Sequence, residues 1–140
     1  MADDWRDQRA EAAEQHARSL RRRQEAESAQ ARQLIAEFVA TAQKRGIEPV
    51  PLRATTYDGR SRYRTTIHGW YLRRNQSVAV GTDGEFYILS VARSLRSMVS
   101  GATLEPSDPP LILGKGARDG ESIDLVDALR IALGEEPQRR

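Results

Sequence analysis

Arg60, Arg62, Arg64, His68 and Trp70 fall on alternate positions of one segment, and Phe86 lies on a neighbouring one. Guanidinium groups beside aromatic faces suit backbone phosphates and stacked bases, and several RNA-binding folds present such a row on an open sheet. Arg73 and Arg74 follow directly. The candidate binding surface is therefore Arg60, Arg62, Arg64, His68, Trp70, Arg73, Arg74 and Phe86. No RNP-like motif accompanies it. The competing expectation is that Trp70, Phe86 and Ile88 lie under the C-terminal helix, which leaves a solvated arginine edge or a protein interface.

Other residues offer less chemistry. His16 and His68 are the only histidines, without metal-ligand spacing, and no Asp or Glu is expected on the face of His68 to make it a general base. Asp119, Glu121, Asp124 and Asp127 crowd together but do not follow the order of an EF-hand loop. Gly114-Lys115-Gly116 lacks the Walker spacing and the following Ser or Thr. No Gly-x-Ser-x-Gly elbow or Rossmann fingerprint occurs. No catalytic residue, metal site or cofactor is assigned; an enzyme would have to draw on scattered Asp, Glu, Arg and Tyr.

The 140 residues carry a net charge of +2 and no cysteine, which excludes disulfide scaffolds and thiol chemistry. Charge is placed unevenly. Residues 44–74 hold eight basic residues against Glu48 and Asp58, whereas residues 75–140 hold seven basic against ten acidic. No apolar run approaches the length of a spanning helix, and the N-terminus is polar rather than signal-like. A soluble cytoplasmic protein with no membrane association is expected.

The elements that must position the candidate surface centre on Tyr63–Val91, which reads as three antiparallel strands. Asp83-Gly84 predicts a two-residue type I′ turn, which pairs Val80 with Tyr87 and Ala79 with Ile88. An even-numbered loop around Arg73–Gln76 pairs Trp70 with Ala79. Alternation then sorts the side chains into two faces. Ile67, Tyr71, Val78, Val80, Tyr87, Leu89 and Val91 form a core face; His68, Trp70, Ala79, Gly81, Phe86 and Ile88 form the second.

Residues 1–32 are rich in Ala, Gln, Glu and Arg, contain no Gly or Pro, and predict a polar helix with only Trp5 and Leu20 as large apolar residues. Leu34, Ile35, Phe38, Val39 and Ala42 then form an apolar stripe, ended by Gly46 with Ile47 folding back in a Schellman contact and Pro49 beyond. This helix is expected on the core face, so that Phe38→Ala severely destabilises the domain. Val50–Thr56 predicts an edge strand, since Pro49 and Pro51 suit edges. Leu95, Met98 and Val99 predict a short helix capped by Gly101, and Leu111–Leu113 a last strand or core plug. Ser122 or Asp124 opens a final helix that Gly134 closes.

The fold class is thus α+β: a long N-terminal helix, an antiparallel meander sheet of four to five strands, and a C-terminal helix packed on the sheet. The expected organisation is a polar helical extension over 1–32, one domain over 33–134 and a polar tail over 135–140. A small non-catalytic binding module is expected, with a protein partner acting at the charged helix and the second sheet face. A nucleic-acid- or ribosome-associated protein using Arg60–Arg74 is the alternative.

Overall fold

The computed structural model describes residues 2–114 and 122–135. Lys115, Asp119, Glu121 and the tail beyond 135, all weighed above, lie outside them. The α+β class holds: a long helix, a mostly antiparallel five-stranded sheet and a C-terminal helix.

Helix α1 (Ala2–Lys44) is continuous through residue 32. At about 1.5 Å per residue its 43 residues span about 65 Å. Its end is a Schellman motif: Ile47 N–H donates to the Ala42 carbonyl at 2.9 Å, Gly46 N–H to that of Gln43 at 3.2 Å, and Gly46 takes φ +71°. Side chains of the helix enter the core from Ala31 onward, where Ala31, Ile35, Phe38 and Ala42 are all buried.

Strands β1 (Val50–Thr56), β2 (Arg62–Tyr71), β3 (Val78–Gly81) and β4 (Phe86–Ile88) form an antiparallel meander, and β5 (Ser90–Val91) returns to pair parallel with β1. The order is β4-β3-β2-β1-β5, so β4 and β5 stand at opposite ends of the sheet with only Leu89 between them in the chain. Leu89 makes the join. Its N–H donates to the Ser77 carbonyl at 2.8 Å, and its carbonyl accepts from Thr55 N–H at 2.8 Å. The sheet therefore curls into a small closed barrel. The expectation that β1 is an edge strand is corrected, because β5 covers it at Thr55 and Thr56. Pro51 is tolerated in the half of β1 that pairs on one side only.

Two hairpin loops set which side chains point inward. Gly81 N–H bonds the Glu85 carbonyl, Gly84 N–H bonds the Gly81 carbonyl, and Gly84 alone of the turn residues takes positive φ, +80°. That is a three-residue loop, a type I turn followed by a left-handed glycine, rather than the two-residue type I′ turn. On the other side of β3, Leu72 N–H bonds the Val78 carbonyl across a five-residue loop in which Gln76 takes φ +56°. Both loops are odd where even ones are expected. β3 is therefore flipped: Trp70 pairs with Val80 and Val80 with Phe86, while Tyr71 pairs with Ala79 and Ala79 with Tyr87.

The barrel interior holds Leu52, Ala79, Tyr87 and Leu89, with Ile67, Tyr71 and Leu104 packed against them. The buried Tyr63 and Tyr87 and the half-buried Tyr71 keep their hydroxyls bonded, as amphipathic rings must. Tyr71 accepts from Arg53 N–H and Tyr63 from Ser94 N–H, both at 3.0 Å, and Tyr87 donates to Asp83 Oδ2 at 2.6 Å. Burial first, and then Asp83, push the Tyr87 phenol up to about 12.

The outer face carries Trp70, Leu72, Val80 and Phe86, and these meet Ile35 and Phe38 of α1. Helix α3 (Leu125–Ala132) adds Leu125, Ala128 and Leu129. The expectation that Phe38's helix covers Tyr71, Tyr87 and Leu89 is thus corrected: those residues fill the barrel, and the helices cover the opposite face. Ile88, expected under the C-terminal helix, is exposed. A two-stranded ribbon, β6 (Ile112–Leu113) with β7 (Ile123–Asp124), leads into α3 and buries Leu113.

Between β5 and β6 lies the one-and-a-half-turn helix α2 (Leu95–Ser100). Ser94 Oγ caps it by accepting from Ser97 N–H at 3.2 Å, and Gly101 ends it at φ +84°. It buries none of its side chains.

Candidate functional site

The structure divides the expected binding surface. Trp70 is only 6% exposed and Phe86 is buried beside it. Phe38 meets the Trp70 ring edge-on at 5.5 Å between centroids, and the indole N–H donates to the Ile47 carbonyl at 3.1 Å. Neither aromatic is available to stack on a base, so both leave the candidate surface. The physical reason is the closed barrel: its outer face needs an apolar cover, and α1 with α3 supplies it.

Arg60, Arg62, Arg64, His68 and Arg74 are exposed, and Arg73 is half-buried. Arg62 donates to Gln76 Oε1 at 2.6 Å and Arg64 to the Val99 carbonyl at 3.4 Å. His68 lies opposite Pro51, which offers no proton partner. The β1–β2 register brings in a residue that the sequence reading missed. Arg53 is directly opposite Arg64, and Thr55 opposite Arg62, so three guanidinium groups share one patch of the barrel wall. Like charges directly opposite on a sheet repel, which leaves such a patch favourable to an anion. The turn around Asp58-Gly59, closed by Thr56 N–H donating to the Ser61 carbonyl at 2.9 Å, was the available signal, since it fixes this pairing.

Helix α2 lies against the same patch. Ala102 N–H, just past the helix, donates to the Arg64 carbonyl at 2.7 Å. Arg93 and Arg96 come with it, also unanticipated. Arg93 pairs with Asp58 at 3.1 Å. The Asp58 carboxylate is held down at about 2, first by the Thr56 hydroxyl at 2.6 Å, then by Arg60 N–H at 3.0 Å, and also by Arg93. Because the folded value is depressed, its contribution is fully present above about pH 4 and is lost as pH falls toward about 2. Thr56→Val should raise the midpoint more than Arg93→Ala does, as read by carboxyl NMR titration. The reverse order would show that the ion pair, not the turn hydroxyl, sets it.

An open cleft of about 540 Å³ lies between α1 and residues 108–110. Its two sides are tied by the Arg32–Asp108 ion pair and by Leu111 N–H donating to Glu27 Oε1 at 3.0 Å. Arg21, Glu25, Glu27, Arg32 and Asp108 line it in mixed sign, so it concentrates neither anions nor cations. Among the described residues no group of three His, Asp or Glu is placed to hold a metal ion. No described helix is long and apolar enough to cross a membrane.

Comparison with protein-family models, with curated proteins and with solved structures finds no match to this chain.

Proposed function

We propose that this protein is a non-catalytic, cytoplasmic binding module in which the barrel and its two covering helices anchor an arm, the first half of α1, that engages a protein partner. The observation that carries the reading is the exposure of that arm. From residue 4 to 26 every side chain is exposed except the half-buried Ser19. A helix polar all round buries no apolar face against the body it leaves, and such packing is where most helical stability in proteins comes from. Its local support is slight: Glu14 and Arg18 pair at 3.5 Å, and the Arg9 guanidinium sits 4.5 Å from the Trp5 ring centroid. A partner helix would supply the missing contacts. Trp5 and Leu20, both exposed, fall about 60° apart around the helix axis, on one side.

A chain lacking residues 2–26 should melt where the full chain does, because burial begins beyond them, yet lose its partner in pull-down and cross-linking. The full chain with Trp5→Ser and Leu20→Ser should lose it too. A truncated chain that retains every partner would remove the arm from this account.

The second reading, association with nucleic acid or the ribosome, draws support from Arg53, Arg62 and Arg64 sharing one face. It predicts a salt-sensitive gel shift that weakens when Arg60, Arg62 and Arg64 become Ala. Absence of any shift at low salt would dispose of it.

A further inference from the structure

Helix α2 displays its apolar residues outward. Leu95, Met98 and Val99 occupy positions i, i+3 and i+4, hence one face of the helix, and they are 82%, 58% and 80% exposed. Scattered surface leucines need no explanation, but three neighbours on a helix that buries nothing are a different matter. The bond from Ser94 N–H to the Tyr63 hydroxyl and the Ala102–Arg64 hydrogen bond hold this turn against the barrel, so its apolar face is presented rather than left loose. Tyr57, also highly exposed, stands beside the Asp58–Arg93 pair at the start of the same segment.

The surround is cationic. Arg64 reaches the Val99 carbonyl, Arg53 faces Arg64 across the strands, Arg96 is on α2 itself, and Arg93 precedes it. Asp58 pairs with Arg93, which neutralises it. Nucleic acid would use the arginines but has no use for three protruding aliphatic side chains. A groove-binding peptide needs walls, and side chains exposed to this degree have none beside them. A fluid interface with acidic headgroups uses both features: aliphatic side chains enter the headgroup–acyl boundary while basic residues meet the anionic surface.

We propose that the α2 end of the barrel docks on an anionic lipid surface, with Leu95, Met98 and Val99 inserted and the arginines around Arg64 against the headgroups. Such docking needs no spanning helix, so it is compatible with there being none among the described residues. It is independent of the arm, so an arm variant with Trp5→Ser and Leu20→Ser should dock as the wild type does.

The test is co-sedimentation of the full chain with phosphatidylcholine vesicles and with vesicles containing about 30 mol% phosphatidylglycerol. Binding is expected on the anionic vesicles, weakening with added salt, and absent on the neutral ones. The triple variant Leu95→Ser, Met98→Ser, Val99→Ser should reduce it about tenfold or more while leaving thermal melting unchanged, since these side chains are already in water. Arg53→Ser with Arg96→Ser should also reduce it. No binding to anionic vesicles, or equal binding to neutral ones, overturns the proposal. So does a triple variant that binds as well as wild type, which would leave a simple polyanion site suited to nucleic acid. A concentration-dependent dimer that the triple variant abolishes, without vesicle binding, would assign the face to a second copy of this chain and overturn it as well.

Discussion

Phe38→Ala should destabilise the protein by about 3–5 kcal/mol, a large share of the roughly 5–15 kcal/mol that holds a domain of this size together. Phe38 is buried where α1 crosses the outer face of the barrel, with its ring edge-on to Trp70. Removing it opens a cavity between two elements joined rigidly at their ends, by the Schellman turn at Gly46 and by the indole bond to Ile47, so the site cannot easily collapse. The melting temperature should fall by roughly 15–30 °C. In a Trp5→Phe background, Trp70 fluorescence should resist a soluble quencher in the parent and become accessible in the Phe38→Ala variant well below the parent's melting point. Glu37→Ala, one residue away and exposed, is the control and should change little. An unchanged melting curve for Phe38→Ala would mean that α1 does not cover this face.

Gly69→Ala should be the next most damaging change, and for a different reason. A Cβ at position 69 would land on the Val80 carbonyl oxygen and lie 2.8 Å from Gly81 Cα. Both are backbone atoms of the paired strand, where Gly69 and Gly81 stand directly opposite each other. No rotamer change relieves such a contact, so β2 and β3 must part at this pair. The expected loss is about 3 kcal/mol or more, at or beyond the upper end of ordinary overpacking. Gly84→Ala provides the contrast. Nothing lies within 4 Å of its added Cβ, but φ is +80°, so the change should cost only about 1–2 kcal/mol through backbone strain. Denaturant unfolding of the two variants would separate these cases. If Gly84→Ala proved the worse, close approach at Gly69 would not be what shapes the barrel.

The helices were legible in the sequence because their signals are local. The apolar stripe of Leu34, Ile35 and Phe38, the Gly46–Ile47 stop, the Gly101 cap and the Gly134 stop all act within a turn or two of the residues that carry them. The strands of the meander were legible for the same reason, as was the parity of β2 relative to β4, whereas β7 was not expected. Trp70 and Phe86 share a face in the structure as they do in the sequence reading.

The candidate surface was legible only in part. Its arginines are exposed or half-buried, but its aromatics lie under α1 and α3, and the register of β3 was misread through two loop lengths. Asp-Gly serves a type I′ turn and also the three-residue loop with a left-handed glycine. One residue more in each loop reverses β3 while leaving its neighbours unchanged. No local signal could show that β4 runs on through Leu89 to meet β1, since that pairing joins residues far apart in the chain.

What the sequence determined by itself, then, is the three helices, the strands of the meander and the even–odd partition within each strand, because propensity, capping and alternation are properties of neighbouring residues. What only the tertiary structure decided is which face of the barrel the helices cover. Closing the sheet places Tyr71, Tyr87 and Leu89 inside, where only side chains can fill the space, and leaves Trp70 and Phe86 outside under α1 and α3. The β1–β2 hairpin sets Arg53 beside Arg64, and the return of the chain through β5 brings α2, with its outward Leu95, Met98 and Val99, against them. That juxtaposition depends on long-range pairing, and no window of the sequence contains it.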